Sequence, residues 1–333
     1  MSSLGSNKSL AKYAIENGGK IKPLIIPHED TGGTGLMNPS IFIHNDKILV
    51  NIRNTNYTLY HSEKKKFPHQ WGPLQYIHPE DDQTLRTTNF IAHLNDDLNI
   101  SESFKVDMKL DIEPLWHFIG LEDARLFSWD DKLYLCGVRR DHLDAKGKGR
   151  MDLSEIEFDG KSYYEVSRKS IPAPPPNLSY CEKNWMPILD IPYHWVKWSN
   201  PTEVIKFDPE NLTTETVLVD HNKRYDFPRD LRGGSQVIKW GDYRITITHE
   251  VNLYNDKHGR KDGKYLHRII LWDQDWNIIK GTDDFTIMNG EIEFATGMAF
   301  HKNNVLITFG FQDNAAYILS MPINAFADMI IKG

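Results

Sequence analysis

The sequence predicts an all-β chain, a five-bladed β-propeller with short helical segments at its two ends. Three observations carry that prediction. Helical periodicity is confined to residues 9–17 and 323–331. Nearly everything between them is short runs rich in Ile, Val, Tyr, Phe and Trp, broken by Gly, Asn, Asp and Pro. One apolar strand–polar turn–apolar strand pattern recurs along the 333 residues.

In chain order, residues 1–34 are expected to form an N-terminal extension that packs on the propeller, and 35–322 the propeller itself. The first repeat is residues 40–53, followed by an insertion around residues 63–84. The second is 125–140, the third 235–250 and the fourth 297–313. Their turns fall in register at Asn45-Asp46, Asp130-Asp131, Gly241-Asp242 and Asn303-Asn304, residue types that tolerate the positive φ of a tight hairpin. Repeat starts at 40, 125, 235 and 297 leave one long gap, about twice a ~55-residue unit. Near its middle lie residues 185–198, a degenerate copy with a proline in its turn, which makes five units. The prolines at 172–176 form an extended connector, because strand patterns resume on both sides. Residues 323–333 form a helical tail. A β-sandwich with accidental hairpin similarity is the alternative.

Composition narrows the function. The chain has 39 Lys+Arg against 46 Asp+Glu, a net charge of −7, and its 9 Trp, 14 Tyr and 15 Phe exclude a disordered polymer. Mild acidity gives no pull toward nucleic acid or anionic membranes, so neither partner is expected. Two cysteines, Cys136 and Cys181, make neither a disulfide framework nor a metal site. With no signal-peptide pattern and no apolar run of ~18 residues, the expected compartment is the cytoplasm. No metal or cofactor is expected, since metal-ligand spacings and phosphate-cradling glycine motifs are missing. Self-association is left open.

In an antiparallel hairpin the residues before the first strand and after the second share one end. Around a propeller axis those ends meet in a funnel. Strand starts place Asn38, Glu122, Asp123, Lys183, Asn184, Arg232, Glu291 and Glu293 there, and strand ends place Arg53, Arg139, Arg140, His249, Glu250 and Asp313. Carboxylates thus alternate with cations, including Arg125. One carboxylic acid beside several Arg and Lys donors suits a proton transfer coupled to a bound anion such as phosphate. Any one of these residues taken alone has an ordinary explanation as a structural ion pair. The coincidence at equivalent positions is what favours a site.

The motifs carry a resemblance. GLEDARLF (120–127) is similar to the Gly-x-Glu-Asp-Pro-Arg motif of glycoside hydrolase family 130, the β-mannoside phosphorylases and hydrolases, with Ala124 in place of the proline. EKNWMP (182–187), RGGSQ (232–236), Ile247-Thr248-His249-Glu250, IEFATGMAF (292–300) and GFQDNAA (310–316) follow in that family's order, from about Asn38 to Leu319. The resemblance implies a five-bladed propeller that makes or breaks a glycosidic bond with inversion. Asp123 matches the proton donor. Arg53, Lys183, His249 and Tyr265 match positions that hold phosphate, Glu122 and Arg125 neighbour the acid, and Asn184 and Asp313 line the sugar pocket. Arg139, Arg140 and Arg232 join them only through their place in the funnel. Glu250 stands where the family commonly has glycine, which points toward a divergent branch that includes glycosyl-transferring relatives.

Phosphorolysis needs one protein carboxylate, because phosphate arrives as the nucleophile. The expected substrates are therefore a small carbohydrate and inorganic phosphate or a sugar phosphate. An inverting hydrolase needs a second carboxylate ~6.5–9.5 Å from the acid, for which Glu250 and Glu293 are the candidates. A transferase with an activated donor would reuse the cationic pocket, and a non-catalytic glycan-binding propeller would need no acid at all.

Overall fold

The computed structural model describes residues 9–58, 66–67, 74–76, 84–220, 227, 231–255, 257 and 261–332. The fold is all-β with short helices, in several sheets arranged like a propeller. Gly35–His44, Lys47–Thr55, Leu85–Leu94 and Ile100–Asp107 pair in succession as a first antiparallel group. Glu122–Trp129, Lys132–Arg139, Arg150–Phe158 and Tyr163–Ile171 form a second, linked to the first where Tyr163 and Tyr164 run parallel to Val106 and Asp107. Met186–Pro187, His194–Ser199, Thr202–Asp208 and Thr213–Asp220 form a third. In a fourth, Arg232–Gly233 and Ile238–Trp240 both pair with Tyr243–Asn255, which continues to Lys261–Trp272 and Ile278–Gly281. The last contains Glu293–His301, Asn304–Phe311 and Ala315–Pro322, and Lys20–Pro23 supplies its outer strand.

The expected N-terminal extension is thus partly woven into the last sheet. Ser9 caps the helix Leu10–Glu16 by accepting from Lys12 N at 3.3 Å. That helix and the tail helix Ile323–Lys332 bury Leu10, Ala14, Phe326 and Met329 in one cluster with strands of the fourth and last groups.

The hairpin turns follow the sequence. Asn45, Asp46, Asp130, Asp131 and Gly241 all have positive φ. One turn moves by a residue: His301 pairs with Asn304, so the loop is Lys302-Asn303 rather than Asn303-Asn304. In the degenerate repeat, Met186 and Pro187 pair with Val196 and Trp195 across the proline-containing loop. The insertion expected around 63–84 falls largely outside the described residues. What is described there is a small sheet of Tyr57–Thr58, Lys66–Phe67 and Leu74–Tyr76.

The core clusters sit between successive groups. Leu49, Ile91, Leu121, Leu126 and Leu135 join the first to the second, and Phe127, Trp129, Trp185 and Trp195 the second to the third. Met186, Val204, Ile270 and Trp272 join the third to the fourth, and Ile41, Val50, Leu306 and Ile318 return from the last to the first. Burying each large side chain stabilises by roughly 1.5–3 kcal/mol. At the hub, the amide of fully buried Gln236 donates to the carbonyls of Ile41 and Leu126, at 2.8 and 2.7 Å. Polar groups there are satisfied across groups, which holds the inner strand starts in fixed relation.

Candidate functional site

The site is built from two bulges. Glu122 pairs with Val138 but Arg125 with Cys136, so the strand carries an extra residue at Asp123-Ala124 opposite Gly137. A bulge re-aims a side chain, and Asp123 sits at φ +50°, a region that Asp and Asn tolerate best among side-chain-bearing residues. A Cβ at Gly137 would collide with the Glu122 carbonyl oxygen, so glycine is what lets the partner strand close on the bulge. The first group repeats the device: register slips between Met37 and Ser40, and Asn38 takes φ +46°. The two bulges meet, Asn38 Nδ2 donating to Asp123 Oδ1 at 2.7 Å.

Arg53 Nη1 donates to the same oxygen at 2.7 Å. Its Nη2 donates to the Tyr57 hydroxyl at 2.9 Å, its Nε to Thr87 Oγ1 at 3.2 Å, and Glu122 Oε2 lies 3.6 Å from Nη2. All three guanidinium nitrogens are engaged by the protein. Arg53, expected at a phosphate-holding position, thus holds and orients the Asp123 carboxylate. Burial pushes the Asp123 carboxyl up, but Arg53, the Asn38 amide and Arg125 outweigh it and hold the group below the usual carboxylate range. Burial raises the neighbouring Glu122, with the Asp123 charge adding to it against Arg53. The two carboxyls are thus driven apart, and Glu122 Oε1 is buried without a hydrogen-bond partner.

Arg125 is fully buried and ties the two halves of the site together. Nη1 donates to the Asp123 carbonyl at 2.7 Å and to Asn184 Oδ1 at 3.3 Å, and Nε to the Gly234 carbonyl at 2.9 Å. Its Nη2 has no partner, and burial lowers the guanidinium to about 10. Asn184 also adopts positive φ, at +60°. A Cβ at Gly233 would overlap the Asn184 carbonyl oxygen, so here too glycine allows a tight approach.

Beyond Asn184 a cleft of about 270 Å³ opens between the third and fourth groups, lined by Lys183, Asn184, Lys197, Trp198 and Arg232. Lys197 is paired with buried Glu182 at 3.1 Å. Among the described residues no carboxylate forms an ion pair with Lys183 or Arg232. His249, opposite Arg232 in the ladder, stacks on Tyr265 with ring centroids 5.5 Å apart and tilts against Phe294 at 4.5 Å. Burial, with His267, Arg232, Arg125 and Lys183 adding to it, holds its imidazole neutral, and its Nδ1 is unpartnered.

A second cleft, of about 490 Å³, lies along the first group and the segment that leads from it to the second, and is lined in part by Thr87, whose hydroxyl Arg53 contacts. Arg140 sits in the rim near Glu122, its guanidinium 5.9 Å from the rings of Phe118 and Tyr180.

Several expected site residues are used elsewhere. Arg139 is 1% exposed and closed in ion pairs with Asp141 at 2.8 Å and Asp111 at 2.5 Å, so it belongs to a structural network. Glu293 is fully buried and accepts backbone N–H bonds from Ile287, Met288 and Gly290. Its lone pairs fasten the backbone at residues 287, 288 and 290. Glu250 points to the strand face opposite His249, as alternation requires. It lies 3.8 Å from Arg268, which also approaches Asp284 at 3.7 Å. Asp313 stands in the left-handed turn Gln312-Asp313 that links Asn304–Phe311 to Ala315–Pro322.

Sequence reasoning placed Asn38 in the funnel without pairing it to Asp123, and it missed Tyr57 and Thr87 as partners of Arg53, and Trp198. Asn38 was within reach, since it occupies the strand-start position equivalent to Asp123. Among the described residues no group of three or more His, Cys, Asp or Glu could hold a metal, and no helix is long and apolar enough to cross a membrane.

No protein-family model and no curated protein matches the chain. Solved structures do. The chain is similar to β-1,2-mannobiose phosphorylase from Listeria innocua, with 13% identity, a TM-score of 0.56 and 94% of each chain covered. It is similar to a glycosyl hydrolase from Bacteroides ovatus, at 14% identity and TM-score 0.58 over 86% of this chain and 84% of that one. A third likeness, at 11% identity and TM-score 0.54 over 86% and 84%, is to a structure of the GH130 family of mannoside phosphorylases, which contains glycoside hydrolases that target β-1,2 mannosidic linkages in Candida mannan. At such identities the likeness is one of fold.

Proposed function

We propose that the protein is a carbohydrate-active enzyme of the glycoside-phosphorylase type. It makes or breaks a glycosidic bond with inversion, on a β-mannoside-like substrate with inorganic phosphate or a sugar phosphate. In this reading the five strand groups are five blades spanning 35–322, flanked by 1–34 and 323–333. The solved structures sharing the fold include mannoside phosphorylases and glycoside hydrolases, which supports the substrate class.

The observation that carries the proposal is one oriented carboxylate beside uncompensated cations. Asp123 Oδ1 takes both protein donors, and no donor among the described residues occupies Oδ2, which is left to exchange a proton with the bridging oxygen. Lys183 and Arg232 face the other cleft as a seat for the anion, with neutral His249 alongside. In the breaking direction Asp123 protonates the leaving oxygen while phosphate attacks the anomeric carbon from the opposite face. In the making direction the carboxylate takes the acceptor hydroxyl's proton as the sugar–phosphate bond breaks and phosphate leaves. A carboxyl held low is already in the form that the making direction needs.

Direct hydrolysis would need a second carboxylate across the sugar, ~6.5–9.5 Å from the first. Neither candidate favours it, since Glu293 is consumed by backbone donors and Glu250 faces Arg268. The test is incubation with α-mannose 1-phosphate and a panel of acceptor sugars, following phosphate release, with Asp123→Asn as control. Release that requires both acceptor and Asp123 is expected. Free sugar from β-mannosides without phosphate would establish the hydrolase instead, and turnover with a nucleotide-activated donor alone would establish a donor-dependent transferase.

A further inference from the structure

We infer that Glu182 sets the charge of the anion seat: by neutralising Lys197 it leaves Lys183 and Arg232 as the free cations, which fits the cleft to a single phosphate group and against a diphosphate. The inference deepens the proposal that Lys183 and Arg232 seat the anion, and rests on it.

Position comes first. Glu182, Lys183, Lys197 and Arg232 all line the cleft of about 270 Å³. Of its three cations, only Lys197 is matched by a carboxylate among the described residues. Glu182 Oε1 accepts from Lys197 Nζ and Oε2 from Trp185 Nε1, each at 3.1 Å, while the Glu182 backbone N–H donates to the Gly149 carbonyl, also at 3.1 Å. The carboxylate is thus held at three points, and its side chain is 5% exposed. It stays on Lys197 while the cleft fills.

Charge is the second argument. Attraction between a fixed cation and an anion scales with the anion's charge and is strengthened where water is excluded. Lys183 and Arg232 together balance a phosphate dianion. A freed Lys197 would add attraction for every anion, and most for pyrophosphate or the nucleoside diphosphate that a nucleotide-activated donor releases, which bear the larger charge. Glu182 withholds that preference. Size is the third argument. At about 270 Å³ the cleft is smaller than the ~300–1,000 Å³ of sites that enclose a drug-sized ligand such as a nucleotide.

The test is calorimetric titration of inorganic phosphate and of pyrophosphate into wild-type protein, Glu182→Gln, Lys197→Met and the double variant Glu182→Gln/Lys197→Met. Glutamine keeps an oxygen for the Trp185 indole and removes the charge. Glu182→Gln is therefore expected to bind phosphate about tenfold tighter, and pyrophosphate tighter by a larger factor. Lys197→Met leaves the carboxylate unmatched at the cleft wall and should weaken phosphate about tenfold. The double variant should return both affinities close to the wild-type values, a cancellation that a purely structural role would not produce. If Glu182→Gln does not fold, the weakening in Lys197→Met decides the matter. Unchanged phosphate affinity in both single variants, with binding still lost in Lys183→Ala, would overturn the inference and leave the anion seat in place. Equal tightening of the two ligands in Glu182→Gln would overturn the selectivity. No phosphate binding in any of the proteins would overturn the seat and the inference with it. Because binding is read rather than turnover, opposed shifts that cancel in the double variant uphold the inference even if wild-type protein turns over no sugar phosphate.

Discussion

The charges around the cleft between the third and fourth groups and those of the first and second groups differ in how they are matched. Between the third and fourth groups, Lys183 and Arg232 stand without carboxylate partners among the described residues, and one lysine of the cleft, Lys197, is neutralised by Glu182. In the first and second groups three guanidiniums are matched by carboxylates. Arg139 is closed by Asp141 and Asp111, Arg168 by Glu165 and Asp111, and Arg53 by Asp123 and Glu122. The difference teaches that an arginine count does not locate an anion site. Unmatched charge does, because a cation already paired in a low-dielectric surrounding has little left to offer a ligand.

The sharpest way to break the comparison is at the Asp123 carboxylate. Asp123→Asn should lower turnover by ~10²–10⁴-fold with the fold retained, as general acid–base groups do. Circular dichroism beside the phosphate-release assay checks both halves, and activity near wild type would remove Asp123 from the chemistry. Next is the paired wall. Arg139→Leu strands buried Asp141 and should cost about 3–5 kcal/mol of stability, read as a fall in Tm. Protein that remains folded should keep its KM for phosphate, and a loss of phosphate affinity without a loss of stability would return Arg139 to the anion site.

On the unmatched side, Lys183→Ala or Arg232→Ala should raise KM for phosphate or sugar phosphate ~10–100-fold, the worth of one charge-assisted hydrogen bond. Unchanged thermal stability is part of that expectation. The smallest effect belongs to Asp152, fully buried behind the paired wall with neither carboxylate oxygen hydrogen-bonded and His142 Nε2 3.5 Å away. Burial pushes its carboxyl up to about 6 from an ordinary 3.8. Stability from the protonated form is then fully present below about pH 4 and is lost as pH rises through about 6. Asp152→Asn should therefore stabilise the protein at about pH 8, by on the order of 2 kcal/mol, and not at pH 4. Denaturant titrations at the two pH values decide it, and equal effects at both would show that His142 already compensates the charge.

Much of the site was legible because strand ends are. Asn38 and Asp123 at the bulges, and Asn184 just ahead of its strand, are Asn or Asp for the same reason as the turn residues, tolerance of positive φ, and they stand at equivalent strand starts. Position in the repeat therefore brought Asp123, Asn184, Lys183, Arg232 and His249 to one end. It could not say which way a side chain leaves a strand or what it meets. Glu250 is adjacent to His249 and turned to the other face, and Glu293 shares the strand-start position of Glu122 yet is spent on three backbone N–H groups.

By itself the sequence determined the all-β class, the repeating hairpins, their turns within a residue and the end of the molecule where charge gathers. These are local properties, set by side-chain alternation and by which residues tolerate a left-handed backbone. Only the tertiary structure decided which charges are matched. Pairing depends on groups brought together from distant parts of the chain, as Arg53 meets Asp123 and Arg139 meets Asp111. It also joined residues 20–23 to the last sheet, through backbone hydrogen bonds to a strand some three hundred positions away whose partner no side-chain pattern names.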